Sequence, residues 1–222
     1  MIKAAIFDMD GLLINSEPFW QQAEITIFKK VNIHLTKEMC IQTMGLRIDE
    51  VVAHWHSLFP WSHISQEDLQ KEIIDSVIHY IQTDGQAMDG VYQILELLTE
   101  QNLKIGLASS SFLKIIKAVI EKLKLEKFFT VVHSAEFEEY GKPHPAIYIN
   151  TAKQLGVPPT QCVAFEDSFN GLIAARAARM KAVAVPEQEH YHLPKFEIAH
   201  IKLSTLKAFG PEHLDLLKDS IT

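Results

Sequence analysis

The sequence predicts an α/β fold: a Rossmann-like parallel sheet with helices on both faces, plus an inserted α-helical cap. Three observations carry this reading. Short apolar runs recur along the chain and stop abruptly at polar residues. Helical periodicity fills most of the intervals between them. One long interval near the amino end has helical patterning and no strand pattern.

The first apolar run, Ala4-Ala5-Ile6-Phe7, ends at Asp8. A second, Lys104 to Ala108, ends in Ser109, Ser110 and Ser111. Thr130 to His133 forms a third, Cys162 to Phe165 a fourth that ends at Glu166-Asp167, and Lys181 to Val185 a fifth that stops at Pro186. Such runs read as parallel strands buried on both faces. Leu113 to Leu123, His144 to Leu155 and Gly171 to Arg179 read as the helices between them. Residues 15–84 form the cap, with helices around Glu24 to Phe28, Asp49 to Leu58 and Ser65 to Ile81. Thr83-Asp84-Gly85 and Met88-Asp89-Gly90 mark the return to the core, which takes in residues 1–14 and 85–222. A short helix is expected after Gly210-Pro211.

Composition narrows the function classes. The chain has 222 residues, 47% of them hydrophobic and 22% charged, enough for a sizeable core without disulfides. A formal net charge of -7 argues against nucleic acid as a partner, since that needs a basic face. It leaves room for an anionic small molecule, because a local pocket can be positive. The two cysteines, Cys40 and Cys162, form no metal or redox motif. No signal-peptide pattern opens the chain, and no apolar run approaches the ~20 residues that span a bilayer. A cytoplasmic setting, no membrane association, and a monomer or weak homo-oligomer are the resulting expectations.

Ligands of open parallel sheets bind beyond the carboxyl ends of the strands, and the chemically capable residues fall there. In Asp8-Met9-Asp10-Gly11 the two carboxylates lie two apart and point the same way if strand geometry persists. One can attack while the other handles protons, and Gly11 lets the chain turn sharply away. Ser109, with the Ser110 N–H, is placed to hold a phosphate oxygen, or else to make a hydroxyl turn before the next helix. Lys142 precedes Pro143 and is thereby kept out of the helical region at the mouth of a helix. Glu166-Asp167 places adjacent carboxylates at a buried strand end, which a hard cation such as Mg²⁺ would neutralise. Ser168 suits the cap of the following helix. Each position has an ordinary structural reading: an acidic turn, a helix cap, a solvated lysine. Jointly they supply the inventory for phosphoryl transfer through an aspartyl phosphate.

These motifs, in this order and spacing, resemble the haloacid dehalogenase superfamily of phosphohydrolases over essentially the whole chain. Phe7 to Leu13, Ser16-Glu17-Pro18, Gly45 to Asp49, Lys142 to Pro145 and Ala174 to Met180 are similar to its bacterial hexitol phosphatase and 2-deoxyglucose-6-phosphatase group, near β-phosphoglucomutase. Arg179 stands where the wider family often has glycine, and Asn15 where it often has aspartate.

The resemblance implies a Mg²⁺-dependent sugar or sugar-alcohol phosphatase acting on a small phosphorylated metabolite. Asp8 is then the nucleophile, Asp10 the general acid and base, and Lys142 the balancing cation. Substrate is expected against Asp8, Met9, Asp10, Ser109, Ser110 and Lys142, with Arg47 as a cap contact or an ordinary salt bridge. Asp8, the Asp10 carbonyl, Asp167 and Glu166, directly or through water, are the implied metal ligands. A sugar-phosphate mutase is the nearest alternative. A phosphonatase would need a Schiff-base lysine in the cap, for which Lys29, Lys30 and Lys37 are of the right type. A non-catalytic binding module on the same fold is disfavoured by retention of every catalytic group.

Overall fold

The computed structural model describes residues 1–219. Five strands lie on the five apolar runs: β1 Ala4–Phe7, β2 Lys104–Ser109, β3 Val131–Ser134, β4 Cys162–Glu166 and β5 Lys181–Ala184. A sixth, β6 Ile201–Lys202, extends one edge and at two residues is too short to show a period. All neighbours pair in parallel, in the order β3-β2-β1-β4-β5-β6. The order of strands reverses between β1 and β4, so a crevice opens at their carboxyl ends.

Period-two alternation sorts the side chains of these strands into two layers. Ala5, Phe7, Ile105, Leu107, Val163 and Phe165 face one apolar layer. Ala4, Ile6, Ala108, Cys162 and Ala164 face the other. Register places Phe7 opposite Phe165, and their rings stack with centroids 4.6 Å apart. Phe209 meets Phe165 edge-on.

The interval after β1 folds as four helices, α1 Glu17–Phe28, α2 Lys37–Gln42, α3 Ile48–Leu58 and α4 Gln66–Asp84. Pro18 sits in the first turn of α1, where its missing N–H costs nothing. Ser65 caps α4 by accepting from the Asp68 N–H at 3.0 Å. Leu69, Ile73, Ile74, Val77 and Ile81 of α4 are buried at helical spacing, as are Ile48, Val51, Val52 and Trp55 of α3. Helix α2 has only six residues, so its periodicity is invisible in the sequence; Thr36 caps it, accepting from the Met39 N–H. Where the chain leaves and re-enters the core, Ile14 bridges to both Asp10 and Ala87, holding the two crossings side by side.

Beyond that point come α5 Val91–Glu100, α6 Leu113–Leu123, α7 Ala146–Leu155, α8 Phe169–Ala177 and α9 Pro211–Asp219. The sequence reading passed over α5, although it buries Val91, Ile94, Leu95 and Leu98 at full helical spacing. Past α8, Arg179 adopts φ 63°, the left-handed conformation that the wider family's glycine would take without strain.

Phe165 is fully buried between two rings. Phe165→Ala is expected to destabilise the protein by about 3–5 kcal/mol, measured by urea unfolding. A loss under about 1 kcal/mol would show that the stack contributes little.

Candidate active site

The ends of β1, β2 and β4 deliver their polar residues to one cleft beneath the helical insert, lined by Asp8, Asp10, Ser110, Lys142 and Asp167 from the core. At its floor, the Lys142 ammonium donates to Asp8 Oδ1 at 2.5 Å and to Glu166 Oε1 at 2.6 Å. All three residues are buried. Burial alone would pull the lysine down, but the Asp8 and Glu166 carboxylates reverse this and hold it above its ordinary value. Burial raises the Asp8 carboxyl to about 7, with Lys142 opposing and Glu166 and Asp10 reinforcing the rise.

Glu166 is held on both oxygens by the protein. Tyr148 donates its hydroxyl to Oε1, beside Lys142. Ser168 donates its hydroxyl to Oε2 at 3.0 Å. A Cβ on Gly171 would lie 1.9 Å from Oε1, so only glycine lets α8 approach this carboxylate. Ser168 also caps α8, as the sequence suggested, accepting from the Gly171 N–H. Glu166 Oε1 thus orients Lys142, while its carboxylate also stays grouped with those of Asp8 and Asp167.

Asp8, Glu166 and Asp167 each offer a carboxylate oxygen within 4.8 Å of the others, and all are buried. One ammonium against three carboxylates leaves excess negative charge in a desolvated site. Burial, then Asp8 and Glu166, push the Asp167 carboxyl well above its usual range. An all-oxygen donor set with unbalanced charge fits a hard divalent cation, and Asp8, Glu166 and Asp167 each offer an oxygen to it. Gly11 packs over this corner with φ 72°, and a Cβ there would lie 2.3 Å from Asp167 Oδ2.

Asp10 turns toward the helical insert. Its Oδ1 accepts from Ser16 Oγ at 2.6 Å and Trp20 Nε1 at 3.1 Å, and its Oδ2 from Ser111 Oγ at 2.7 Å. The Met9 side chain is fully buried in the core, which leaves only its backbone to face a ligand. Ser109 is fully buried at the edge of the site; its hydroxyl accepts from the Ser111 N–H at 3.0 Å and donates to Asp10 Oδ2 at 3.4 Å. Ser110 does line the cleft, and its buried hydroxyl has no hydrogen-bond partner among the described residues.

Arg47 makes the salt bridge within the cap that the sequence also allowed. Its guanidinium donates to the Ala135 and Glu138 carbonyls at 3.2 and 2.8 Å and to Asp49 at 2.9 Å. It latches the insert onto the core and does not line the cleft. Lys29, Lys30 and Lys37 are likewise absent from the cleft wall, and Lys30 pairs with Glu72 at the surface. Sequence reasoning missed Ser16, Trp20 and Ser111 around Asp10, and Tyr148 behind Glu166. Each is common in helices and turns, and only the fold brings it to a carboxylate.

Comparison with known proteins agrees with this geometry. The family model of the haloacid dehalogenase-like hydrolases matches residues 5–185. Hexitol phosphatase B of Escherichia coli strain K12 is 41% identical over 206 residues, covering 92% of this chain and 93% of that protein. CbbY from Rhodobacter sphaeroides, solved with phosphate, superposes with a TM-score of 0.89 at 22% identity, over 97% of this chain and 100% of that one. β-Phosphoglucomutase from Clostridium difficile superposes with a TM-score of 0.87 at 23% identity, over 99% and 98%. The chain belongs to the haloacid dehalogenase-like hydrolase family. Its class of activity is phosphoric monoester hydrolysis.

The cleft also buries Glu24, whose carboxyl is raised by desolvation from 4.5 to about 7. The folded state therefore holds this proton more tightly than the unfolded chain. Its contribution to stability is complete below pH 4.5 and is lost as pH rises through about 7. Glu24→Gln mimics the neutral acid. It should match the wild type at pH 4.5 and exceed its stability at pH 8 by up to roughly 3 kcal/mol in urea unfolding. Equal stability at both pH values would mean that Glu24 is not desolvated.

Proposed function

We propose that this protein hydrolyses phosphate monoesters of small sugars or sugar alcohols through an aspartyl phosphate on Asp8. The observation that carries this reading is the convergence of Asp8, Asp10, Lys142 and the unpartnered Ser110 hydroxyl on one cleft beneath the insert. The 41% identity to a hexitol phosphatase supports the substrate class. Residues 15–84 would act as the cap that reads the leaving group, and the remaining core as the phosphoryl-transfer unit.

In this mechanism Asp8 Oδ attacks phosphorus, and Lys142, fixed by Glu166, balances charge on Asp8 and the phosphoryl group. The Ser110 hydroxyl and the backbone around Met9 would cradle the phosphoryl oxygens. Asp10 gives a proton to the leaving oxygen, then takes one from the water that cleaves the acyl phosphate. Ser16 and Trp20 donate to Asp10 from the start of the cap, so cap position and proton transfer are coupled. Mg²⁺, held by Asp8, Asp167, the Asp10 carbonyl and Glu166 directly or through water, would supply positive charge against the repulsion between a carboxylate and a phosphate dianion. Hydrolysis is favoured over mutation because Lys142 is the one cation lining the cleft, among the described residues, and a sugar bisphosphate would need another.

Chelation with EDTA should abolish phosphate release, and Mg²⁺ should restore it. Asp8→Asn should lower kcat at least about 1,000-fold while leaving the thermal midpoint near that of the wild type. Full turnover by the chelated enzyme, or by Asp8→Asn, would remove the metal or the nucleophile from the scheme. Conversion of one sugar phosphate isomer to another without free phosphate would establish a mutase instead.

Arg47→Ala unlatches cap from core, so kcat/KM for an alditol phosphate and for an aryl phosphate should fall in parallel, each about 3–10-fold. A loss confined to the alditol phosphate would return Arg47 to direct substrate contact.

A further inference from the structure

One stripe of α1 forms part of the cap wall of the cleft, beside residues of α2, α3 and the turn between them. Glu17, Trp20, Gln21 and Glu24 stand at i, i+3, i+4 and i+7, so they share a helix face, and all four line the cleft. Trp20 ties this stripe to the reaction centre through its hydrogen bond to Asp10. Glu24 stands at the far end. It is 6% exposed, its Oε2 is buried, and this oxygen has no hydrogen-bond partner among the described residues. The Cys40 side chain lines the same cleft and lies against this carboxyl group. A buried carboxylate oxygen without a donor is costly, and an apolar side chain would fill the same space without that cost.

The charge of the cleft restricts what could satisfy it. Five carboxylates line it, those of Asp8, Asp10, Glu17, Glu24 and Asp167, against the single ammonium of Lys142. That ammonium is already shared between Asp8 and Glu166 at the floor. An acidic group next to Glu24 would meet like charge with nothing to offset it, whereas a hydroxyl brings a donor without charge.

We propose that Glu24 is a specificity-determining residue: its free carboxylate oxygen accepts a hydrogen bond from a hydroxyl of an uncharged polyol leaving group and rejects leaving groups that carry an acid or a second phosphate. Gln21 and Glu17, on the same face, complete a hydroxyl-reading wall between Glu24 and the reaction centre. This inference rests on the phosphatase reading for its substrate and adds the chemistry by which the leaving group is selected.

The test compares wild type with Glu24→Gln and Glu24→Ala at pH 8. The substrates are a six-carbon alditol phosphate, the aldonic-acid phosphate of the same length, and an aryl phosphate. The ratio of kcat/KM for the alditol phosphate to that for the aldonic-acid phosphate should fall at least about 20-fold in Glu24→Gln, partly through a gain on the acid. Parallel losses on all three substrates, or an unchanged ratio, would overturn the proposal, since a purely structural role has no sign preference. Binding of the alditol phosphate to Asp8→Asn protein, with and without Glu24→Gln, provides an arm independent of turnover. A Kd weakened about 5–10-fold by Glu24→Gln supports the proposal even if the wild type hydrolyses nothing, in which case the phosphatase reading alone fails. An unchanged Kd overturns the proposal while hydrolysis of the aryl phosphate leaves the phosphatase reading intact.

Discussion

The ammonium of Lys142, buried between the carboxylates of Asp8 and Glu166, is the contact on which the rest of the site depends. None of the three groups is tolerable alone at this depth, because an unpaired buried charge costs several kcal/mol. Lys142 lies 134 residues from Asp8 and 24 from Glu166, so the trio exists only when the sheet has assembled. Strands β1 and β4 are neighbours in register, which brings Asp8 and Glu166 to one edge, and the loop before α7 carries Lys142 over them. Tyr148, on that same helix, donates to Glu166 from behind. Asp8, its counter-charge and the residue that orients the counter-charge thus come from three separate segments held by one parallel sheet.

With Asp167 included, the cluster is two positive charges short, and this deficit organises the chemistry. Burial and mutual repulsion raise the carboxyls of Asp8 and Asp167, so the site resists full ionisation until a cation arrives. A metal and a phosphate dianion are then complementary additions, each lowering the cost of the other. The arrangement separates roles among four acids that look alike in the sequence. Asp8 faces Lys142, Asp167 faces the charge deficit, Glu166 is locked by the protein, and Asp10 turns to the cap. Asp10 is held by Ser16 and Trp20 from the start of the cap, whereas Asp8 is held by Lys142 of the core.

The cap contributes through two kinds of contact. Arg47 reaches across to the carbonyls of Ala135 and Glu138, so its charge is spent on docking. The α1 stripe contributes polar groups to the cleft itself. That division accounts for the absence of a second phosphate-binding cation in the cleft among the described residues, although the fold is shared with β-phosphoglucomutase.

Much of this was legible in the sequence. The five apolar runs became five strands, because a strand buried on both faces must be apolar throughout and must stop where polarity returns. The strand-end residues Asp8, Asp10, Lys142, Glu166 and Asp167 were legible for the same reason, since a parallel sheet places all its carboxyl ends on one side. Helix α5 was equally legible in its apolar spacing and was passed over; β6 and α2 are too short to carry a period. What the sequence could not decide was the use of each polar atom. The Ser109 hydroxyl toward a ligand or in a turn, Arg47 on the substrate or in a salt bridge within the cap: each pair is equivalent in composition and spacing. Hydrogen-bond direction and burial depend on partners distant in the chain, 88 and 91 residues away for Arg47 and 99 for Ser109, and only the tertiary structure fixes those. Local periodicity determined which segments form the sheet and its caps, and long-range packing decided which of the assembled acids, hydroxyls and cations are free to react.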